Sequence, residues 1–339
     1  MSLLKYYMFS ELQERQKQYE EYRNNGVNRR SMELAEQNML KFFPSIPREE
    51  YERFIKKDPF FDEVLELVRY GFKKWYNWDP GEINVTHDFQ YDINSYAYVD
   101  KAFPMFIHVD QLLETVVLWF MLTTLKWSKE HDDKSADHEY FVDLLYLLNE
   151  IALNGELPSE DGKESLISKT MNDVQIQNLA SDCHWAMLVF TVAHEVAHIY
   201  QVETNEDYWK SHLKEAEYHA DKVGYDILLR IIMEKQEKEL IMEEYTYLAP
   251  MMYMDMFELL FETVRILYDK EISYGMHPSP DERIEAMFEL ADQAEYQFDT
   301  QDGNVVYYWF KWTYERYIVN LKKYKEAGNL DHIIEKYRY

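Results

Sequence analysis

An apolar run from Trp185 to Tyr200, WAMLVFTVAHEVAHIY, carries two histidines four residues apart with a glutamate beside the first. No other feature of the chain constrains its fold as strongly. On an α-helix this spacing puts both imidazoles on one face a turn apart, with Glu195 one residue further round. A helix that is apolar at nearly every remaining position is buried, and burying two imidazoles and a carboxylate without partners costs on the order of several kcal/mol. The rest of the chain must therefore supply partners. One solution is a pair of histidines satisfied inside a buried helix. The other is a metal ion: His194 and His198 at H-E-x-x-H spacing can share one zinc, leaving Glu195 beside an attacking water as general base.

A reactive zinc needs a third protein ligand and one open position. The segment Lys214 to Lys222, KEAEYHADK, offers candidates. Glu217 and Asp221 are four apart and share a helical face, so Glu217 can reach a metal while Asp221 accepts the free N–H of a ligating histidine. The eighteen residues between His198 and Glu217 suffice to end one helix and start an antiparallel one. Glu215, His212 and His219 compete for the role. Glu217 is favoured because Glu215 and His219 point away from its face, and His212 would require the second helix to enter nearer its start.

Composition narrows the function classes. Asp and Glu outnumber Lys and Arg 63 to 36, for a formal charge of -27, and phosphate backbones demand the opposite balance, so nucleic acid is excluded as an expected partner. Mixed-sign helical stretches such as Glu11 to Arg23 read as solvated faces. The single cysteine, Cys183, cannot form an intramolecular disulfide and suits a reducing, cytoplasmic setting. The amino terminus turns polar within a few residues and lacks the basic flank and apolar core of a secretory signal, so the mature chain is expected to begin there. Val116 to Leu125 is about half the roughly 20 residues of a membrane-spanning helix, so no membrane insertion is expected. The oligomeric state is not legible.

Along the chain, helical texture over residues 1–80 suggests an N-terminal lobe, broken at Asn24 to Asn28 and Phe43 to Pro47. Between Asp79 and Val109, β-formers and alternation predict a small sheet of three or so strands. Helices are expected near 110–127, 138–153 and 174–200, followed by almost unbroken helical texture from Tyr208 to Ile272. The polar, turn-rich segments Asp132 to Asp137 and Asn154 to Lys163 are expected loops. A Tyr-rich run near Val305 places Tyr307, Phe310, Tyr314 and Ile318 on one helical face, which favours packing over a stacking platform for ligands. The expected organisation is a helical lobe 1–80, a core 81–293 and a helical extension 294–339.

Three segments together resemble a known family, the gluzincin metallopeptidases that include the CAAX prenyl proteases and their bacterial quality-control relatives. They are His194-Glu-Val-Ala-His198, Glu217-Tyr-His-Ala-Asp221, similar to that family's E-x-x-A-D, and the segment His277-Pro278 to Arg283-Ile284. Asn94 to Tyr98 with Phe106 to Leu113 looks like the family's N-A-x-A strand and the element after it. The resemblance implies an α+β, predominantly helical fold: a zincin-like core with a small β-sheet and an H-E-x-x-H active-site helix. It implies Zn2+ on His194, His198 and Glu217, with Glu195 as base and Asp221 and Arg283 behind the ligands. It further implies His277 near the developing oxyanion, and Tyr96, Ala97 and Tyr98 along an edge strand that binds a peptide or protein substrate. The chain departs from the membrane members of that family by lacking their membrane helices. Two other readings follow from the same residues: a phage-exclusion or toxin-like protease that cleaves one specific host protein, with residues 1–80 as recognition lobe or brake, and a non-catalytic scaffold stabilised by zinc.

Overall fold

The computed structural model describes residues 59–81, 84–86, 95–98, 106–130, 134–149, 173–211, 213–237, 245–269, 277–293 and 300–330. The first 58 residues of the expected N-terminal lobe and the loop expected at 154–163 lie outside these, whereas the segment expected as a loop at 132–137 is helical from Lys134 on, since residues 134–137 contain neither glycine nor proline. The chain divides into two compact units, Met1–Asp62 and Glu63–Tyr339; the site and its surroundings belong to the second.

The element order is α1 (Pro59–Trp75), β1 (Asn84–Thr86), β2 (Ser95–Tyr98), β3 (Phe106–Val109), α2 (Gln111–Lys129), α3 (Lys134–Tyr146), α4 (Val174–Ser211), α5 (Leu213–Glu237), α6 (Ala249–Tyr268), α7 (Pro280–Ala291) and α8 (Thr300–Glu326). A short 3-10 turn, Thr246–Leu248, leads into α6. The fold is α+β and predominantly helical. The three strands form one sheet in the order β1-β3-β2. In it β1 runs parallel to β3, pairing Asn84 with Phe106, and β2 runs antiparallel to β3, pairing Ser95 with Val109. Among the described residues β2 therefore keeps one edge without a partner strand.

α4 is the central element, packed by α2, α5, α6 and the strands β2 and β3. Its residues from Ala180 to Val202 are nearly all buried, which explains why the sequence there is apolar on every side. The helix expected to stop near residue 200 runs on to Ser211, because residues 201–211 contain neither proline nor glycine to end it. The almost unbroken helical texture expected from Tyr208 to Ile272 is carried among the described residues chiefly by two helices, α5 to Glu237 and α6 from Ala249, with Pro250 in the first turn of α6, where a missing N–H costs nothing.

Tyrosines serve the core. On α8 the stripe Tyr307, Phe310, Thr313, Tyr317 and Leu321 is buried, while Tyr314 and Ile318 flank it half-buried. The buried hydroxyls are satisfied: Tyr225 donates to the Tyr247 carbonyl at 3.0 Å, Thr263 and Tyr317 share a bond of 3.1 Å, and Ser128 and Thr313 one of 2.7 Å.

Candidate metal centre

Two helices build the floor of the site. α4 contributes His194, Glu195 and His198, all under 9% exposed, and α5 contributes Glu217 and Asp221 one turn apart. The helices pack antiparallel. Gln201 reaches the Ala216 carbonyl at 2.8 Å, His198 and His194 face Glu217, His194 also faces Asp221, and Phe190 meets Tyr225, so positions descending on α4 match positions ascending on α5. The crossing is close because of Gly224. A Cβ there would stand 2.9 Å from the backbone nitrogen of His194 and 3.2 Å from its Cα, so any larger residue would push α5 away at the level of the paired histidines.

Three donor groups converge. The Nε2 atoms of His194 and His198 are 3.1 Å apart, with their rings nearly perpendicular. Glu217 presents Oε2 at 3.6 Å from His194 Nε2 and Oε1 at 3.5 Å from His198 Nε2. Ligands around a tetrahedral zinc at its usual bond lengths stand about 3.4 Å from one another, so these side chains fit such an ion with little adjustment. Glu195 is close as well: His194, Glu195 and His198 place ligating atoms within 4.8 Å of one another. The carboxylate of Glu195 is occupied differently, since Ser95 of β2 donates to its Oε1 at 2.8 Å.

Behind the histidines runs a chain of charge. Arg283, from the first turns of α7, makes a bidentate pair with Asp221, Nε to Oδ2 at 2.7 Å and Nη2 to Oδ1. Asp221 in turn stands 3.0 Å from Nδ1 of His194, which orients that ring with Nε2 toward Glu217. The start of α7 is fixed by a capping box between Ser279 and Glu282 with Pro280 at its beginning, and this anchors the segment carrying His277. The His277 side chain is 62% exposed and places Nδ1 at 3.1 Å from Glu217 Oε2.

The electrostatics follow from these contacts. Burial disfavours charge on His194, but the carboxylates of Asp221 and Glu217 outweigh it and raise its pKa. His198 moves the other way, lowered by burial and then by the charge on His194. Burial would raise Glu217, yet hydrogen bonds from His194 and His277 hold it well below the ordinary carboxylate range. Asp221 likewise stays low against burial, held by the Arg283 charge and by His194. Glu195 is raised: burial prevails over His194 and Ser95. One buried carboxylate of the group thus gains proton affinity while its neighbours lose it, the separation that general base chemistry exploits.

Tyr96, Ala97 and Tyr98 lie on β2 at the sheet edge, and the Tyr96 ring packs 5.1 Å from that of His108 across the sheet. Of the competitors for Glu217's place, Glu215 and His219 are exposed, and His219 faces Gln201 at 3.0 Å; His212 lies outside the described residues. Three residues at the site were not singled out from sequence. Ser95 sits inside the strand segment Asn94 to Tyr98 that carried the weakest resemblance, so its region was marked although its hydroxyl was not. Gly224 is an isolated glycine in a helix, a signal of close approach. Tyr253 of α6 is buried, its phenol pushed up by burial; nothing local in the sequence points to it.

Ser95, Phe190, His194, Glu195, Glu217, Tyr253, His277 and Arg283 all line one cavity of about 300 Å³. Among the described residues no helix is long and apolar enough to cross a membrane. No curated protein and no solved structure matches the chain. A family model does: residues 132–300, which include every one of these cavity-lining residues except Ser95 and leave out the strand residues Tyr96 to Tyr98, match the family described as Peptidase U49, and together with the His-Glu-His cluster this similarity supports a peptidase.

Proposed function

We propose that the chain hydrolyses peptide bonds with one zinc ion held by His194, His198 and Glu217 and with Glu195 as general base. The observation that carries this is the convergence of two Nε2 atoms 3.1 Å apart with Glu217, which brings one carboxylate oxygen to 3.6 Å from His194 and the other to 3.5 Å from His198, beside a second carboxylate that Ser95 holds apart. Two imidazoles and a carboxylate are a donor set suited to zinc. When bound, zinc would supply Lewis-acid polarisation of the scissile carbonyl and acidify the attacking water.

The remaining work belongs to the chain's own groups. Glu195, with Oε1 bonded to Ser95 and its proton affinity raised by burial, takes a proton from the attacking water on its other oxygen and passes it to the departing amine. His277 directs Nδ1 at Glu217, and in the imidazolium form, with both ring nitrogens protonated, its Nε2–H donates to the developing oxyanion. Arg283 and Asp221 hold the ring of His194 in one tautomer and orientation. The substrate lies extended along β2 and pairs its backbone with the Tyr96 to Tyr98 edge, as an added strand would.

The test is metal analysis and peptide cleavage on wild type, His198→Ala and Glu195→Gln. One zinc per chain in wild type and Glu195→Gln, little in His198→Ala, and cleavage by wild type alone are expected. Equal metal in all three sinks the ligand assignment, and zinc bound in wild type with no cleavage of any peptide or lysate protein moves the chain to the scaffold reading.

A further inference from the structure

The cavity that contains the metal-ligand candidates has a second, apolar end. Tyr253, Phe257 and Phe261 recur every four residues on α6 and so form one stripe. Their rings touch in sequence, Tyr253 to Phe257 at 4.9 Å edge-to-face and Phe257 to Phe261 at 6.4 Å. Burial falls along the stripe, from Tyr253 at 6% exposed to Phe257 and Phe261, both half-buried. Phe190 closes the inner end: it lies one turn before His194 on α4, ring centroids 6.0 Å apart, and lines the same cavity together with Pro278. An apolar wall thus begins at a ligand histidine and opens outward.

The charges and hydroxyls in this wall already have partners. Arg283 is tied to Asp221 by two hydrogen bonds, Ser95 to Glu195, and the Thr191 hydroxyl to the Met187 sulfur at 3.2 Å. What remains to discriminate among ligands at this end is aromatic and aliphatic surface, one part of a cavity of about 300 Å³ that also takes in the metal-ligand candidates. That suits one large apolar side chain better than a charged or strongly polar one, whose desolvation nothing there would offset.

Resting on the peptidase reading above, we propose that the Tyr253–Phe257–Phe261 stripe is the specificity subsite, receiving a large aromatic or branched aliphatic side chain from a residue that flanks the scissile bond. The test uses the zinc-loaded full chain and two amino-acid hydroxamates that differ only in side chain, benzyl against methyl, with binding followed by calorimetry. Wild type is expected to bind the benzyl compound at least about tenfold more tightly. Phe257→Ala and, as a milder change at the open end, Phe261→Ala should reduce that ratio while zinc content stays the same. Equal affinity of wild type for the two compounds, or a ratio unchanged in both variants, overturns the subsite. Peptide libraries digested in parallel separate the two claims: discrimination without any cleavage leaves the apolar subsite standing and removes the hydrolytic reading, whereas cleavage indifferent to flanking apolar residues removes the subsite and keeps the peptidase.

Discussion

Two buried acidic clusters lie on neighbouring helices and are resolved in opposite ways. On α6, Asp255 is fully buried and is met by the Tyr307 hydroxyl and the Lys311 ammonium of α8. On α5, Glu217 is met by the imidazoles of His194, His198 and His277. The first cluster closes on a cation of fixed charge and joins two helices. The second closes on groups that exchange protons and bind metals, with a further carboxylate, Glu195, beside them. Arg283 on Asp221 stands between the extremes, a fixed cation used to orient a ligand candidate. Burial of carboxylates therefore does not mark function in this molecule; the chemistry of their partners does.

The contrast can be broken by exchanging partners. Glu217→Gln should weaken zinc binding by more than the roughly 10–100-fold that loss of an outer partner costs, measured by competition with a chelator, and should abolish cleavage. Lys311→Met should leave zinc binding unchanged and lower unfolding stability by about 3 kcal/mol, near the low end for breaking a buried ion pair because Tyr307 remains. Denaturant melts check this, and zinc loss in Lys311→Met would dissolve the distinction. Asp221→Asn, which removes the orienting acceptor behind His194, should weaken zinc binding by roughly 10–100-fold.

Smaller effects sharpen the picture. Ser95→Ala should reduce kcat about tenfold with unchanged zinc content, the effect of losing one hydrogen bond to a charged group, with Ser95→Thr restoring much of it. The smallest signal is a proton count. His194 has its pKa raised above 6.5 by Asp221 and Glu217 despite burial, so in the metal-free chain it holds a proton at neutral pH, and zinc must displace it. Calorimetry in buffers of differing ionisation heat should record release of about one proton per zinc near pH 7. By the same sign, the stability His194 lends the metal-free chain is complete below pH 6.5 and disappears as pH rises through its raised value. No proton release would mean that His194 is already neutral in the metal-free chain or does not bind the zinc.

How much of this was legible in the sequence depends on whether a relation is local. His194 with His198, and Glu217 with Asp221, are one helical turn apart, and periodicity alone places each pair on a face. Which pair faces which follows from an antiparallel hairpin, which the separation between them permits. The bond from Ser95 to Glu195 spans 100 positions in the chain, and no spacing rule reaches across it. The aromatic stripe on α6 has a visible four-residue period, but periodicity cannot tell a stripe that lines a cavity from one that fills a core. A small sheet of three or so strands was legible from alternation and β-formers, whereas the extension of α4 to Ser211 was not, because the loop expected after His198 assumed a helix end that no residue there enforces.

The most direct test is anomalous diffraction at the zinc edge from crystals of the metal-loaded chain. The expected result is a single peak bonded to Nε2 of His194, Nε2 of His198 and an oxygen of Glu217, with the Glu195 carboxylate outside bonding distance and still on Ser95. A peak ligated by Glu195 in place of Glu217, or one seated away from the paired histidines, would contradict the assignment of ligand and base on which the hydrolytic mechanism depends.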